Sequence, residues 1–213
     1  MTHYRVGIPL YAGFDLIDVT SVWDTFNRIQ DYWKDGTIEV LLLGAACTPI
    51  QSGQRLTLTP TATFEEKINV LITPGAQDVS QGLADQALLK FLRAQADIEW
   101  VTSVCTGAVV NSAAGLLDGY EATTHWAAID KLKANPKVKV VNGCPRYVRD
   151  RNRFTTAGVS ASLDGAFELM SILTSEQVAK CVQLIVQYNP QPPFAGGDPC
   201  TADYATYALV MGG

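Results

Sequence analysis

Hydrophobic positions along the chain follow two patterns, which predict strands and helices in alternation. Short apolar runs are typical of strands in a covered sheet, and they occur at residues 4–11, 37–44, 68–75 and 98–104. Apolar residues spaced three and four apart predict helices with one buried face, and they occur at residues 19–33, 84–96, 106–117 and 125–134. Because the two types alternate, the chain should form βαβ units around a parallel sheet.

The remaining segments complete this arrangement. Turn-rich stretches at residues 50–64 and 146–158 predict two hairpins. Two more periodic segments predict helices at residues 160–174 and 175–188. Residues 189–213 are rich in Pro and Gly and should form an irregular tail. We therefore expect one domain over residues 1–213, an α/β three-layer sandwich with a mostly parallel central sheet and helices on both faces.

The composition agrees with one globular domain and argues against several classes of protein. Of the 213 residues, 47% are hydrophobic and 17% are charged, which suits one sizeable core. The net charge of −5 argues against nucleic acid as the main partner. No apolar run approaches the roughly 20 residues of a membrane-spanning helix, and the first residues lack a signal-peptide pattern. We therefore expect a cytoplasmic protein that binds neither nucleic acid nor a membrane.

Cysteine and histidine usage argues against a disulfide framework and against a metal site. The cysteines form no Cys-x-x-Cys pair, and their odd number favours a reducing compartment. They are Cys47, Cys105, Cys144, Cys181 and Cys200. The only histidines are His3 and His125, so no metal-ligand spacing is visible. We expect neither a metal nor a cofactor.

Cys105 stands where a predicted strand turns into a predicted helix, in the stretch VTSVCTGAVV at residues 101–110. A helix N-terminus carries unpaired N–H groups and partial positive charge, which favour a thiolate and lower the pKa of a cysteine. Gly107 allows a tight turn, so the corner resembles the nucleophile elbow of α/β-hydrolases. The alternative is an unreactive cysteine packed in the core.

Two other predicted strands end in residues that suit the same chemistry, and ligands of parallel sheets bind at the carboxyl ends of strands. The amides of Gly75 and Ala76 are placed to stabilise developing negative charge, unless they form only an ordinary turn. Asp18, near the end of the first strand, is a candidate proton donor because a buried carboxyl has a raised pKa. Its alternative role is a helix N-cap, and Asp15 is a competing carboxylate expected to be more solvated.

His125 begins a predicted helix twenty residues after the cysteine. A Cys-His dyad is one interpretation of this pair. A packed or capping histidine is the other, and the sequence does not distinguish them.

Several of these segments together resemble a known family. The resemblance rests on four stretches: VTSVCTGAVVNSAAGLLDGYEATTHWA (101–127), LIDVT (16–20), LITPGA (71–76) and VQYNPQPPFAGGDP (186–199). They are similar to the ThiJ/PfpI superfamily, whose fold is flavodoxin-like and related to class I glutamine amidotransferases. The resemblance spans nearly the whole chain. It extends to the sensor-like domains of some AraC-type regulators.

The resemblance implies roles for particular residues. The family nucleophile falls on Cys105, and the acid/base carboxylate of the isocyanide-hydrating branch falls on Asp18. Thr106 stands where protease-like members carry His, and glyoxalase-type members usually have Glu near the first strand, so the hydrating branch is favoured. The implied activity is hydration of a small isocyanide to an N-substituted formamide, with Thr106 assisting and with Gly75, Ala76 and His125 binding the substrate or its developing charge.

The same resemblance leaves two other functions open and also shows departures. A non-enzymatic sensor with Cys105 oxidised to a sulfinic acid, or a glyoxalase-type enzyme, would use the same fold. A homodimer is expected from the resemblance alone. The family turn Pro-Gly-Gly is Pro74-Gly75-Ala76 here, and the usual Thr-Gly-Pro after the aspartate is replaced at residues 20–22 by Thr-Ser-Val.

Overall fold

The computed structural model of the chain describes residues 1–212. Its strands, in chain order, are β1 (Thr2–Pro9), β2 (Gly36–Gly44), β3 (Ile50–Gln51), β4 (Thr57–Leu58), β5 (Ala62–Thr63), β6 (Val70–Thr73), β7 (Trp100–Ser103), β8 (Glu121–Ala122), β9 (Lys139–Val140), β10 (Tyr147–Asp150) and β11 (Arg153–Thr156). Its helices are α1 (Leu16–Asn27), α2 (Ile29–Tyr32), α3 (Ser80–Ala84), α4 (Gln86–Arg93), α5 (Gly107–Ala113), α6 (Ile129–Lys133), α7 (Ala161–Leu173), α8 (Glu176–Ile185) and α9 (Tyr204–Met211). None of these helices combines the length and the apolar character needed to cross a membrane.

Within the described residues the central sheet has seven strands in the order β10-β11-β7-β6-β1-β2-β5. Each neighbouring pair is parallel except β10 and β11, which form an antiparallel hairpin at one edge. The pairs β3–β4 and β8–β9 form separate two-stranded sheets. The prediction of an α/β fold with a mostly parallel, flavodoxin-like central sheet is confirmed.

The core lies between this sheet and two groups of helices. Helices α1, α2, α7 and α8 contact one another in one group, and α3, α4, α5 and α6 do so in the other. Every residue of β6 and β7 is buried, as expected for central strands that are covered on both faces. The sheet is therefore a rigid base for the segments that follow its strands.

Two of the differences from the predicted boundaries have clear physical causes. Helix α1 begins three residues early because the Asp15 side chain caps it, accepting a hydrogen bond from the Ile17 N–H. The hairpin predicted over residues 50–64 ends at Leu58, since β5 leaves it and pairs in parallel with β2. These differences reflect a cap and an edge pairing that hydrophobic spacing does not reveal.

The tail is irregular only in part. Residues 189–203 contain neither helix nor strand, but α9 follows them. No Pro or Gly interrupts residues 204–211, and the Asp203 carboxylate caps the helix by accepting the Thr206 N–H. The expectation of an irregular tail to the end of the chain is therefore wrong for α9.

One disulfide contradicts the expectation drawn from cysteine usage. Cys144 and Cys200 are bonded to each other, whereas Cys47, Cys105 and Cys181 are free. The bonded pair is 56 residues apart in the sequence. No local spacing marks such a pair, because it meets only when the tail folds back against the loop after β9.

Candidate active site

The carboxyl ends of β1, β6 and β7 lie side by side because these strands are neighbours in the sheet. The segments that follow them meet there. Phe14 forms an isolated antiparallel bridge with Ala76, and the Asp15 N–H donates to the Gly75 carbonyl over 2.7 Å. The strand order thus brings the acidic loop, the Pro-Gly turn and the cysteine corner into one junction.

Cys105 occupies a strained backbone position at this junction. Its φ is +54°, in the left-handed region, which costs a non-glycine residue roughly 1–3 kcal/mol. Two hydrogen bonds hold it: the Cys105 N–H donates to the Ala157 carbonyl over 3.0 Å, and the Thr124 hydroxyl donates to the Cys105 carbonyl over 2.8 Å. The predicted corner is present, with helix α5 beginning two residues later.

Two glycines allow the turn after β6 and the corner after β7 to touch. A Cβ on Gly107 would lie 2.2 Å from the carbonyl oxygen of Thr73, and a Cβ on Gly75 would lie 2.6 Å from the Thr106 amide nitrogen. Gly107 is thus needed for close backbone approach and not for a positive φ, which Cys105 itself adopts. Any side chain at either position would force the two segments apart.

Asp18 is buried in the first turn of α1, where its carboxyl points back to the junction. Its Oδ2 accepts the Gly75 N–H over 2.9 Å, and its side chain has no exposed surface. Asp15, which is half-buried, is the N-cap of the helix, so Asp18 does not have the alternative capping role. The departure at residues 20–22 lies inside α1 and leaves this contact with Gly75 in place.

The environment of Asp18 favours its protonated form. Burial is the largest cause and, together with the charge of Asp15, raises the pKa of Asp18 to about 8, although the Gly75 amide and the Cys105 side chain lower it. The Oδ1 atom is buried, and none of residues 1–212 gives it a hydrogen-bond partner. A carboxyl with one unpartnered oxygen and a raised pKa is equipped to donate a proton at neutral pH.

The thiol of Cys105 does not have the lowered pKa expected from the sequence. Burial raises the pKa of Cys105, and the negative charge of Asp18 raises it further, while the Thr106 amide lowers it too little to compensate. The side chain is only 5% exposed. Because Asp18 and Cys105 each affect the pKa of the other, they form a coupled pair, and ionising one disfavours ionising the other.

The expected pair of free amides is also absent from this junction, because both amides have partners. The Gly75 N–H donates to Asp18, and the Ala76 N–H donates to the Thr106 hydroxyl over 2.8 Å. That hydroxyl in turn donates to the Ala76 carbonyl over 2.7 Å. The assignment of an open anion-binding site to Gly75 and Ala76 is therefore wrong for this conformation, and Thr106 is engaged in holding the turn.

His125 does not complete a Cys-His dyad in the structure. Its only hydrogen bond among the described residues is at Nδ1, which accepts the Ala127 N–H over 3.2 Å, so the ring caps the turn before α6. Burial lowers the pKa of His125 below its usual value, while Asp15 raises it less, so the ring is neutral at pH 7. The capping interpretation is the one that the structure supports.

Two residues near the thiol were not identified from the sequence. Tyr11 is buried and donates a hydrogen bond from its hydroxyl to the Pro74 carbonyl over 2.9 Å, and its pKa is raised well above normal by burial and by the Asp18 charge. Thr124 holds the Cys105 carbonyl. Tyr11 follows the end of β1, so its position at the carboxyl end of a strand was an available signal. No comparable feature of the sequence marked Thr124.

A cavity of about 2050 Å³ opens beside the junction. It reaches Thr124 and Ala157, the two residues that hold the backbone of Cys105, but neither Cys105 nor Asp18 lines it. His125 and Trp126 are in its wall, and so are residues of the tail. The thiol and the carboxyl therefore lie behind the cavity wall, in a largely dry environment.

One cluster in the described part of the chain has the composition of a metal site. The side chains of Cys144, Asp198 and Cys200 bring three ligand atoms within 4.8 Å of one another at the surface. The two sulfurs form the disulfide, however, and a bonded sulfur is not a thiolate ligand. The cluster therefore does not hold a metal in this oxidised form.

The chain is similar to known proteins over most of its length. A model of the DJ-1/PfpI family matches residues 4–172. An isonitrile hydratase of Pseudomonas putida is 38% identical over 204 residues, which cover 94% of this chain and 86% of the hydratase. The crystal structure of a ThiJ/PfpI family protein from Pseudomonas syringae matches with a TM-score of 0.88 and 31% identity, over 99% of this chain and 85% of that one.

A regulator is similar over a smaller share of its length. The HTH-type transcriptional regulator GbdR of Pseudomonas aeruginosa is 31% identical over 186 residues. The match covers 80% of this chain but only 50% of the regulator. The same fold is thus used both in a hydratase and in part of a transcriptional regulator.

Proposed function

Because the chain belongs to the DJ-1/PfpI family, we propose that it hydrates an organic isocyanide, R–N≡C, to the N-substituted formamide. The similarity to an isonitrile hydratase supports an activity of hydratase type. The observation that carries the proposal is the buried Asp18 carboxyl, which has an unpartnered oxygen and a pKa raised to about 8 beside the Cys105 thiol. An isocyanide carbon needs a nucleophile and a proton together, and this pair supplies both.

The first step adds the thiol across the isocyanide carbon. The Cys105 sulfur forms a bond to that carbon while Asp18 transfers its proton to the same carbon. The thiol proton then passes to the carboxylate, which restores the neutral carboxyl. The product is a thioimidate, R–N=CH–S–Cys105, and no free thiolate is required, in keeping with the raised pKa of the thiol.

The second step hydrolyses the thioimidate. Water adds to the carbon, Asp18 gives its proton to the nitrogen, and the carboxylate accepts a proton from the water. The carbon–sulfur bond then breaks, the hydroxyl proton returns to the sulfur by way of Asp18, and R–NH–CHO leaves. One water is consumed, and the scheme uses no cofactor.

The residues around the pair have supporting roles in this scheme. Gly75 donates to the second oxygen of Asp18, which orients the carboxyl with Oδ1 free to carry the proton. Thr106 keeps the Pro-Gly turn against the cysteine corner through Ala76. His125 is assigned to the wall of the substrate cavity as a neutral group.

The test is direct product analysis with purified protein and an alkyl isocyanide. We expect formamide from the unchanged protein and none from Cys105→Ala, with circular dichroism showing that the fold is kept. Cys47→Ala is the matched control, because Cys47 is an exposed free cysteine, and it should leave turnover unchanged. An active Cys105→Ala variant would contradict the scheme.

The similarity to half of a transcriptional regulator supports a second candidate, a small-molecule or redox sensor that uses the same cysteine. A glyoxalase-type enzyme is the third. Incubation with methylglyoxal, followed by analysis for lactate, tests the third candidate in parallel with the isocyanide assay. Absence of product from both substrates favours the sensor.

The oligomeric state and the cellular compartment of the protein are predictions. We propose a homodimer that acts in the cytoplasm on a small-molecule substrate. Sedimentation velocity on the purified protein tests the dimer, and a single species of monomer mass would contradict it.

A further inference from the structure

The tail that forms part of the cavity wall has few contacts with the rest of the protein. Hydrogen bonds of residues 190–212, so far as the structure describes the chain, stay within that segment. Helix α9 has no buried residue, and its Tyr204 and Leu209 are 85% and 83% exposed. An isolated helix of this length is unstable in water, so it depends on what ties it to the body.

A covalent bond and an aromatic contact connect the tail to the body. The Cys144–Cys200 disulfide is covalent, and the ring of Tyr207 lies against Trp126 with centroids 5.2 Å apart. An aromatic pair of this kind is a weak constraint in comparison with a covalent bond. The disulfide is therefore the main constraint that keeps the tail in place.

The disulfide lies beside the cavity. Cys144 of the body and Phe194 and Tyr207 of the tail all line the cavity, as does His125 of the body. Both bonded cysteines are exposed at the surface. Exposed disulfides are the ones that small thiols reach and that are labile or regulatory, in contrast to buried structural bridges.

We propose that the Cys144–Cys200 disulfide is a site of reversible thiol–disulfide exchange, and that its reduction by a dithiol releases residues 189–211 from the cavity. The inference concerns the tail alone and does not depend on the reaction proposed for Cys105. It predicts two forms of the protein. In the oxidised form the disulfide holds the tail beside the cavity, and in the reduced form the tail is released and the cavity is more open.

The dithiol supplies the two electrons and two protons that reduction of the disulfide requires. Its first thiolate attacks one sulfur of the Cys144–Cys200 bond, which breaks and leaves a mixed disulfide and one protein thiolate. Its second thiol displaces the protein sulfur and closes a cyclic disulfide in the reductant. The dithiol loses two electrons and two protons, and the protein gains two thiols.

Hydrogen–deuterium exchange of the full chain tests the proposal, with dithiothreitol as the dithiol and with mass spectrometry to count alkylated cysteines. In the oxidised protein, the amides of α9 should be protected. After complete reduction they should exchange at least roughly tenfold faster, because the short helix loses its tether. Amides of the central strands β6 and β7 should not change, since those strands are buried in the sheet.

Variants separate the tether from general effects of the reductant. The double variant Cys144→Ser/Cys200→Ser should show fast exchange in α9 with and without dithiothreitol. Cys47→Ser, at an exposed free cysteine, should behave like the unchanged protein. Unchanged protection of α9 after verified reduction would overturn the proposal, and so would a protein whose Cys144 and Cys200 stay free under air and mild oxidant.

Discussion

The junction around Cys105 and the tail after Tyr188 are held by opposite means. The junction is fixed by backbone hydrogen bonds between neighbouring strand ends and by two glycines that let the chains touch. The tail has internal hydrogen bonds and exposed side chains, and one disulfide ties it down. The comparison indicates that the candidate site is built into the ends of the strands, whereas the tail is a separate element that a covalent bond holds beside the cavity.

The largest expected effect of breaking the junction is on turnover. Asp18→Asn keeps the shape of the side chain but removes the acidic proton, so kcat/KM for an alkyl isocyanide should fall about 10²- to 10⁴-fold. Asp24→Asn is the control, because Asp24 lies on the same helix and is exposed. Steady-state formamide production measures both. A loss of less than a few-fold in Asp18→Asn would exclude the carboxyl as the acid.

The next effect concerns the pH dependence of stability. The pKa of Asp18 is about 8 in the folded protein and near 4 in an unfolded chain, so the folded state binds an extra proton between these values. Stability should therefore fall as pH rises from about 4 to about 8, by at most about 1.4 kcal/mol per unit from this group. Urea unfolding at pH 5, 6.5 and 8 should show a shallower decline for Asp18→Asn, and equal slopes would contradict the assignment.

A smaller effect is expected from a methyl group placed in the junction. Gly107→Ala puts a Cβ against the Thr73 carbonyl and should lower the free energy of unfolding by about 1–3 kcal/mol. Gly196→Ala is the matched change in the tail, where a Cβ meets no atom within 4 Å. Its effect should lie within about 0.5 kcal/mol of zero. Thermal or urea unfolding compares the two, and equal losses would remove the distinction between the regions.

The smallest effect should follow removal of the aromatic contact of the tail. Tyr207→Ala deletes the ring beside Trp126 but leaves the disulfide, so global stability should change by less than about 1 kcal/mol. Urea unfolding under oxidising conditions gives the value. A loss of several kcal/mol would show that the tail is part of the core and not a separate element.

The sequence was sufficient for the central sheet and for three of the residues at the junction. Parallel strands place their carboxyl ends together, so Asp18, Gly75 and Cys105 were predictable as neighbours from the alternation of elements. The resemblance to the ThiJ/PfpI superfamily is confirmed by the family match. Both inferences rest on patterns that lie within short segments of the chain.

The electrostatics of the junction were not predictable from the same patterns. A helix N-terminus suggested a lowered pKa for Cys105, but burial and the neighbouring carboxyl reverse that direction. The partners of the Gly75 and Ala76 amides, and the pairing of Cys144 with Cys200, depend on segments that meet only in the folded chain. Desolvation and long-range pairing are properties of packing, so spacing along the chain does not report them.

The protonation state of Asp18 is the most direct test of the proposed mechanism. Carbon-13 NMR of the aspartate side-chain carboxyls, with Asp18→Asn to assign the signal, follows this group from pH 4 to pH 10. We predict a carboxyl signal that titrates at about pH 8 and is missing from the variant. An Asp18 signal that titrates near pH 4 would mean an ionised carboxylate at neutral pH, and the account of Asp18 as the proton donor would be wrong.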